Sequence, residues 1–175
     1  DIDFKYAEKM GTSIKLFGTS RIKDGKVSAY VAPVMISKSN PLYSVNDVFN
    51  AVLVTGNMLG DAMFYGKGAG KLPTASAVVA DVIDCAGNPG KTLMRGWTEE
   101  PAKLAEIDNV KNAFFLRVAA SAKKDAEKLL KDVGMFVAPG RTEDFGYFTQ
   151  PMTEKECREI CEKLGEAVLG RIRLA

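Results

Sequence analysis

Three glycines within five residues form the part of this chain whose residue types and spacing best suit chemistry. The segment Gly66-Lys67-Gly68-Ala69-Gly70 lies between a strand-like run and a helix-like run. Glycine allows the backbone to approach a ligand closely, and the free amide groups at a helix start attract anions. The G-x-G-x-G spacing differs from the G-x-G-x-x-G pattern of dinucleotide-binding loops. The segment therefore predicts either a phosphate or cofactor contact, or a tight turn between a strand and a helix.

Other reactive side chains form weaker patterns. Asp81 and Asp84 lie about one helical turn apart, but catalytic carboxylate pairs usually come from separate elements, so we interpret them as a solvated helix face. Cys157 and Cys161 share one helix face, which favours packing over a metal or redox role. The chain has no histidine, which excludes hydrolase triads and zinc sites that need an imidazole. No nucleophile–base pair is evident, so we expect no catalytic residue and no metal site in this sequence.

Composition places the chain among ordinary globular proteins. Its 175 residues are 46% hydrophobic and 26% charged, with a formal net charge of +2. A charge so close to neutral argues against nucleic acid and the membrane surface as partners. Three cysteines and the absence of a long apolar run predict a reduced, cytoplasmic protein. The chain opens with Asp1 directly in amphipathic sequence, and we expect it to be a piece of a longer protein.

The first half predicts a helix, two hairpins and a second helix. A short helix should end at Gly11, a favourable residue just beyond a helix end. Asp24-Gly25 between two strand-like runs predicts a two-residue hairpin turn, and Pro33 places the second strand at an edge or a bulge. The predicted segments are strands at 14–22 and 26–36, strands at 48–55 and 58–65 joined by Gly56-Asn57, and a helix at 73–85.

The second half predicts a β-α-β-β-α-β order, which is that of a ferredoxin-like domain. Thr153 and Glu156 have capping-box spacing at the start of its second helix. The loop before this half contains Trp97, which we expect to anchor it. The predicted segments are strands at 114–119, 135–137, 145–150 and 168–174, and helices at 122–133 and 153–163. The predicted fold is α+β: a mixed or antiparallel sheet with helices on one face at 1–90, a linker at 91–110 and a ferredoxin-like domain at 111–175.

Two motifs resemble the C-terminal part of bacterial homoserine dehydrogenases. They are Pro41–Ala51 (PLYSVNDVFNA) and Phe64–Val78 (FYGKGAGKLPTASAV), in order and at family-like spacing within residues 1–86. The resemblance implies an oxidoreductase that interconverts homoserine and aspartate semialdehyde with NADP or NAD, in threonine and methionine biosynthesis. By the same resemblance, Gly70 contacts the cofactor, and Gly66, Gly68 and Thr74 belong to the same motif.

The resemblance also implies what this chain lacks. The family's catalytic lysine and its Rossmann domain lie upstream of Asp1, so we expect the isolated chain to be inactive. Members associate through this region, which predicts a homo-oligomer, most simply a dimer. Six residues of the two hairpins are available for burial in that interface: Tyr30, Val31, Val34, Ile36, Val52 and Val54.

The second half is similar to the family's ACT regulatory domain, whose effector is threonine. Phe148–Pro151 resembles a late strand of that domain, with Gln150 where histidine is usual. The first strand-to-helix turn reads Ser121-Ala122-Lys123-Lys124-Asp125 instead of the Asp-x-Pro-Gly of amino-acid-binding members. A purely structural role for this half therefore remains an alternative to threonine binding. For the whole chain, the alternative is a free-standing amino-acid-sensing or assembly module.

Overall fold

The computed structural model describes residues 2–91, 99–130, 134–138 and 140–175. Contacts divide the chain into two compact units. The first contains residues 1–40 and 102–175, and the second contains residues 41–101. Trp97, expected to anchor the linker, lies outside the described residues. In the described part of the chain, no helix combines the length and the apolar character that crossing a bilayer requires.

The first unit opens with the predicted helix and hairpin. Helix α1 (Ile2–Lys9) ends just before Gly11, whose φ of 64° is in the left-handed region. Strands β1 (Thr12–Lys23) and β2 (Lys26–Ser37) pair antiparallel along their whole length. Asp24 and Gly25 have φ values of 51° and 70°, as a two-residue turn that matches the strand twist requires. The predicted helix, strands and turn are confirmed, but the edge or bulge predicted from Pro33 is wrong, because β2 lies between β1 and β9 with an unbroken register to β1.

Residues 111–175 form the predicted βαββαβ arrangement. The strand order β9-β5-β7-β6 places the last and first strands of this half side by side, and β5 pairs antiparallel with both β7 and β9. Its second helix begins with the predicted capping box, since Thr153 and Glu156 exchange side-chain-to-backbone hydrogen bonds. The elements are β5 (Lys111–Ala119), α3 (Lys123–Leu129), β6 (Met135–Phe136), β7 (Asp144–Phe148), β8 (Met152–Thr153), α4 (Glu154–Leu164) and β9 (Val168–Leu174).

The first hairpin belongs to the same sheet as these later strands. Strand β2 runs parallel to β9, with Val34 opposite Arg173 and Met35 opposite Leu174. The resulting seven-stranded sheet has the order β1-β2-β9-β5-β7-β6, and β8 pairs with β5. The compact units therefore group the hairpin with the C-terminal half, whereas the sequence division groups it with the glycine loop. As an assignment of family domains, the division into 1–90 and 111–175 stays a prediction.

The core of this unit lies on both faces of the central strand. Along β5, Phe114, Leu116 and Val118 pack with α3 and α4, while Phe115 packs with Tyr6 on α1. Successive side chains of a strand point to opposite faces, so β5 is buried on both sides. The α+β class is confirmed, with α1 covering the face opposite α3 and α4.

The second unit contains a hairpin followed by a long helix. Strands β3 (Phe49–Gly56) and β4 (Gly60–Lys67) pair antiparallel, and α2 spans Lys71–Gly87. Gly56 pairs with Gly60, which leaves three residues in the turn. The predicted turn at Gly56-Asn57 is therefore wrong in position, because Gly60, with a φ of 72°, supplies the left-handed residue.

Candidate functional site

The glycine loop connects the end of β4 to the beginning of α2. Gly66 is the penultimate residue of β4, where it lies opposite Asn50 in the hairpin register. At Gly68, an added Cβ would lie only 2.3 Å from Nδ2 of Asn50. A larger residue at position 68 must therefore displace the Asn50 side chain. Sequence reasoning did not single out Asn50, because a turn at Gly56-Asn57 would pair it with Met63, whereas the observed register places it opposite Gly66.

Gly70 is the residue at which the loop becomes a helix. It is the N-cap of α2, with φ 124° and ψ 151°, a backbone conformation that residues with a side chain rarely adopt. An added Cβ there would also lie 3.4 Å from Cδ of Pro73. The positive φ explains why glycine occupies this position.

The start of α2 exposes amide donors. Thr74, itself exposed, donates its backbone N–H to the carbonyl of Gly70 at 3.1 Å, which closes the first helical turn. The amides of Lys71 and Leu72 precede that bond, and Gly70 supplies no side-chain cap for them. Pro73 falls in the same turn, where its missing N–H removes no helical hydrogen bond. The turn therefore presents backbone donors at its open end, an arrangement that attracts anions.

Two lysines add positive charge beside these donors. Lys67 lies between Gly66 and Gly68, Lys71 follows Gly70, and both lysines are exposed. The Nζ atom of Lys67 lies 5.8 Å from the centre of the Phe49 ring, and that ring stacks on Tyr65 at 4.9 Å. The aromatic pair thus lies beneath the lysine at the strand end. The first turn of α2 contains no acidic residue, so no carboxylate there opposes the charge of Lys71.

The four predicted site residues are close in the fold only because they are close in sequence. Gly66, Gly68, Gly70 and Thr74 run from the end of β4 into the first turn of α2. Their role as cofactor contacts stays a prediction. Asp81 and Asp84 are exposed further along the same helix.

A buried carboxylate that sequence reasoning missed lies in the first unit. Asp144 at the start of β7 is fully buried and accepts hydrogen bonds from Tyr6, Arg117 and Arg141. The Tyr6 hydroxyl donates to its Oδ1 at 2.7 Å, and Arg141 contacts both carboxylate oxygens, at 2.9 and 2.8 Å. Arg117 also bonds Asp3 of α1 at 2.8 Å. The carboxylate therefore connects α1 to β5 and β7.

The protonation of this cluster follows from its contacts. Burial raises the pKa of Asp144, but hydrogen bonds from Arg141, Tyr6 and Arg117 outweigh it and hold that pKa below the ordinary value. Burial, together with the hydrogen bond to Asp144, raises the pKa of Tyr6 to about 12. Asp144 is therefore ionised and Tyr6 protonated at neutral pH. The only feature of the sequence that pointed to this cluster is Arg141, three residues before Asp144, which precedes an apolar segment.

A second buried carboxylate connects α4 to the sheet. Glu154 accepts Nδ2 of Asn112 at 2.8 Å and two nitrogens of Arg173 at 2.6 and 2.9 Å. The guanidinium of Arg173 lies 4.8 Å from the centre of the Tyr30 ring on β2. Both carboxylates are fully engaged by side chains of the fold, so we assign them structural roles.

The two helix cysteines differ in exposure. Cys157 is fully buried in the core beneath α3 and α4, and Cys161 is half-buried against the same core. The packing role predicted for Cys157 is confirmed. Within the described ranges, no group of three or more histidine, cysteine, aspartate or glutamate side chains is arranged to hold a metal ion.

The region that contains the glycine loop matches a known protein family. A family model described as homoserine dehydrogenase matches residues 1–83, which include the whole glycine loop and most of α2. The chain belongs to the homoserine dehydrogenase family. The resemblance of the two motifs at 41–51 and 64–78 is thereby confirmed.

Curated relatives extend the match into the second half. The chain is 39% identical over 150 residues to a homoserine dehydrogenase of Neisseria gonorrhoeae, with 78% of the chain and 32% of that protein covered. It is 50% identical over 128 residues to one of Synechocystis, with 66% of the chain and 30% of that protein covered. The chain thus spans about a third of the length of these relatives, corresponding to their C-terminal part.

A solved structure shows the same fold over nearly the whole chain. A homoserine dehydrogenase from Thiobacillus denitrificans superposes with a TM-score of 0.77 at 30% identity. That superposition covers 99% of this chain and 45% of the other. The fold of both halves is therefore found within a single larger homoserine dehydrogenase chain.

Proposed function

We propose that this chain acts as the C-terminal part of an oxidoreductase that interconverts homoserine and aspartate semialdehyde with NADP or NAD. The observation that carries the proposal is the conformation of Gly70. This residue is the N-cap of α2, has a positive φ and leaves the first amide groups of α2 without a side-chain cap. It lies within the region matched by the family model. Such an enzyme would work in threonine and methionine biosynthesis, in the cytoplasm.

The loop fits a phosphate-bearing cofactor in charge and in shape. The amides of Lys71 and Leu72 and the ammonium groups of Lys67 and Lys71 would attract the cofactor's phosphates. Glycine at position 70 keeps the approach free of a side chain, and Asn50 closes the loop from the other side. When bound, the nicotinamide ring accepts or donates the hydride. The contribution of this chain is to bind and orient the cofactor.

Catalysis would need groups that this chain does not supply. Hydride transfer from an alcohol requires a base for its proton and residues that hold the substrate. In the family, these groups and the Rossmann domain precede the region matched here. We therefore assign no catalytic residue to this sequence and propose that the isolated chain is inactive.

The second unit supports a larger assembly through its exposed apolar surface. Helix α2 has no buried residue, and its large apolar side chains are more than half exposed. A helix that is apolar on most of its faces is normally buried. We propose that the remaining part of the parent protein and a second copy cover this surface. The exposed side chains of α2 are Leu72, Val78, Val79, Val82 and Ile83.

The proposed dimer cannot use all of the residues predicted for it. Val34 and Ile36 are 2% and 0% exposed because β2 buries them inside the first unit. They are therefore unavailable, and that part of the prediction is wrong. Val31, Val52 and Val54 are largely exposed and remain available for a homo-oligomeric contact.

Only the architecture of the C-terminal half supports its assignment as a regulatory domain. Its strand order is that of a ferredoxin-like fold, which agrees with the ACT-like assignment. Its first strand leads into α3 through a 3-10 turn, Ala120–Ala122, with no glycine to permit close backbone approach. We therefore propose an ACT-like domain in which threonine binding is the weaker alternative to a structural role.

Threonine binding has a direct thermal test. A ligand that binds only the folded chain stabilises it by about 2.7 kcal/mol at 100 times its dissociation constant. If threonine is the effector, millimolar threonine raises the melting temperature of the folded chain. No shift, with a normal unfolding transition, would favour the structural role.

The main test of the proposed function replaces Gly70 in the intact enzyme. In Gly70→Val, a branched side chain occupies a left-handed position where the backbone must meet the cofactor. We expect a higher Michaelis constant for the cofactor with the fold retained, while Asp81→Asn on the same helix changes little. Unaltered kinetics in a folded Gly70→Val enzyme would show that the loop is only a turn and does not contact the cofactor.

Two further observations separate the enzyme from a free-standing module. The isolated chain should show neither turnover nor measurable cofactor binding, since the domain that holds most of the nucleotide is not part of it. A Rossmann domain encoded upstream in the same reading frame would decide for the enzyme. A stop codon directly upstream would decide for the module.

A further inference from the structure

Gly68 must be a glycine for a different reason from Gly70. Gly70 has a φ of 124°, a conformation that residues with a side chain rarely adopt. Gly68 has a φ outside the left-handed region, so its backbone conformation would accept a side chain. The obstacle is Asn50 of β3, because an added Cβ at position 68 would lie 2.3 Å from its Nδ2 and 3.1 Å from its Cγ. The Asn50 amide therefore occupies the space that a side chain of residue 68 would need.

The register of the second hairpin brings Asn50 to this position. Asn50 lies opposite Gly66, and β4 ends one residue later at Lys67. Nδ2 of Asn50 donates a long hydrogen bond, 3.5 Å, to the carbonyl of Val48 just before β3. The amide is thus connected to the backbone that leads into β3, and on its other side it contacts the loop at Gly68.

The two faces of the hairpin hold the beginning of the loop in different ways. Neighbouring residues of a strand point to opposite faces, so Phe49 and Lys67 lie on the face away from Asn50. There, Nζ of Lys67 lies 5.8 Å from the centre of the Phe49 ring, which stacks on Tyr65. On the other face, the three atoms nearest to an added Cβ at Gly68 all belong to Asn50. Asn50 is therefore the side chain against which the loop backbone rests at Gly68.

We propose that Asn50 is a positioning residue, whose amide holds the loop backbone at Gly68 in the conformation that presents the first amides of α2 to the cofactor. This inference rests on the proposed function, in which those amides meet the cofactor's phosphates. Ala69 alone separates Gly68 from Gly70, the N-cap of α2, so a displacement at position 68 reaches the helix start directly. Asn50 acts through the backbone of the loop.

The glycine content of the loop makes such a contact necessary. Three of the five residues at 66–70 are glycine, which loses more conformational freedom on ordering than any other residue. A contact that orders the loop before the cofactor binds removes part of this cost from the binding step. An interaction of this kind strengthens binding without favouring the transition state, so its loss raises the Michaelis constant and leaves kcat nearly unchanged.

A double-mutant cycle in the intact enzyme tests the contact. Asn50→Ala removes the amide, whereas Gly68→Ala displaces it. Each should raise the Michaelis constant for NADP or NAD about three- to tenfold, the effect of one hydrogen-bonding group. In the double variant, the Cβ at position 68 meets no amide, so the two effects should not multiply.

The chain offers a matched control for each of these changes. Asn57→Ala makes the same change as Asn50→Ala, but in the exposed turn of the same hairpin. Gly87→Ala adds a Cβ at the end of α2, where nothing lies within 4 Å of it. Both controls should leave the Michaelis constant unchanged. Because Asn50 is exposed, its replacement opens no cavity in the core, and Gly68→Ala tests the same contact without removing the amide.

The conformation of the loop has a readout that needs neither cofactor nor turnover. Trypsin cleaves after lysine, and Lys67 and Lys71 of the loop are exposed. In the intact enzyme without cofactor, Asn50→Ala should accelerate cleavage at both sites about threefold or more, because cleavage requires local opening. Peptide mass mapping should show unchanged cleavage after Lys163 of α4. If Asn50 contacted the cofactor without positioning the loop, cleavage would be unaltered, and that result would overturn the proposal.

The same assay on the wild type separates this inference from the proposed function. Protection of Lys67 and Lys71 from trypsin by NADP or NAD would place the cofactor at the loop, whatever Asn50 does. Given that protection, a wild-type Michaelis constant in Asn50→Ala, or effects of Asn50→Ala and Gly68→Ala that multiply, would overturn the positioning role alone. Without that protection, the proposed function fails, and the positioning role fails with it.

Discussion

Removing the Tyr6 hydroxyl tests whether the buried Asp144 cluster stabilises the first unit. In Tyr6→Phe, the ring that packs on Phe115 remains, with 5.4 Å between ring centres in the wild type. The hydroxyl that donates to Oδ1 of Asp144 at 2.7 Å is lost. Hydrogen bonds to charged groups contribute about 1.5–3 kcal/mol. We expect the free energy of unfolding to fall by about 2 kcal/mol at pH 7.

The pH dependence of this loss follows from the sign of each pKa shift. The pKa of Asp144 is lowered in the folded state, so its stabilisation is present above the unfolded pKa of about 3.9 and disappears as the pH falls through the folded pKa. Because Tyr6 contributes to that lowering, the difference between wild type and Tyr6→Phe should shrink in acid. It should be largest near neutral pH.

The alkaline side gives a second, independent signature. The pKa of Tyr6 is raised to about 12, so the wild type loses stability as the pH rises from the unfolded value of about 10 through the folded value. A shift of this size corresponds to about 3 kcal/mol. The Phe variant has no such group and should lack this part of the loss.

Urea unfolding followed by circular dichroism, from acid to alkaline pH, measures both signatures. Tyr65→Phe is the matched control, because it makes the same change on an exposed strand, where we expect no more than about 0.5 kcal/mol. A loss in Tyr6→Phe no larger than in this control, together with unchanged alkaline behaviour, would refute the assigned role of Asp144.

Two further predictions concern the same unit. In Gly146→Ala, the new Cβ would lie 2.6 Å from Cε2 of Phe115, so we expect urea unfolding to show a loss of about 1–3 kcal/mol. Gly87→Ala, where nothing lies within 4 Å of the new Cβ, is its control, and an equal loss there would contradict the packing argument. Thr153→Ala removes the side chain that caps α4 and should cost about 1 kcal/mol, whereas Thr142→Ala in an exposed loop should be neutral. An unchanged melting curve for Thr153→Ala would show that Glu156 alone suffices as the cap.

The parts of the fold that sequence predicted are those specified by neighbouring residues. Asp24-Gly25 determines the first hairpin because two adjacent residues with positive φ match the strand twist. Thr153 and Glu156 determine the start of α4 because a capping box needs only residues three apart. Gly70 belongs to the same class, since the turn between a strand and a helix that the sequence predicted at this segment is present in the structure.

The parts that sequence missed depend on residues far apart in the chain. The β2–β9 pairing involves two residue pairs between strands near opposite ends of the chain, and no local pattern encodes such a register. Tyr6 and Asp144 are 138 residues apart, so neither side chain reveals its partner. The hairpin turn at 57–59 was misplaced for a smaller reason, because Gly56 and Gly60 are both plausible turn residues and only the pairing register selects Gly60.

The missed contacts are those that join the family-matched region to the rest of the chain. Tyr6 of α1 bonds Asp144 of β7, and Tyr30 of β2 lies against Arg173 of β9. In each case, the first residue lies within the segment matched by the family model and the second lies beyond it. The sheet also continues from β2 into β9. The C-terminal half is therefore a continuation of the sheet and core of residues 1–40.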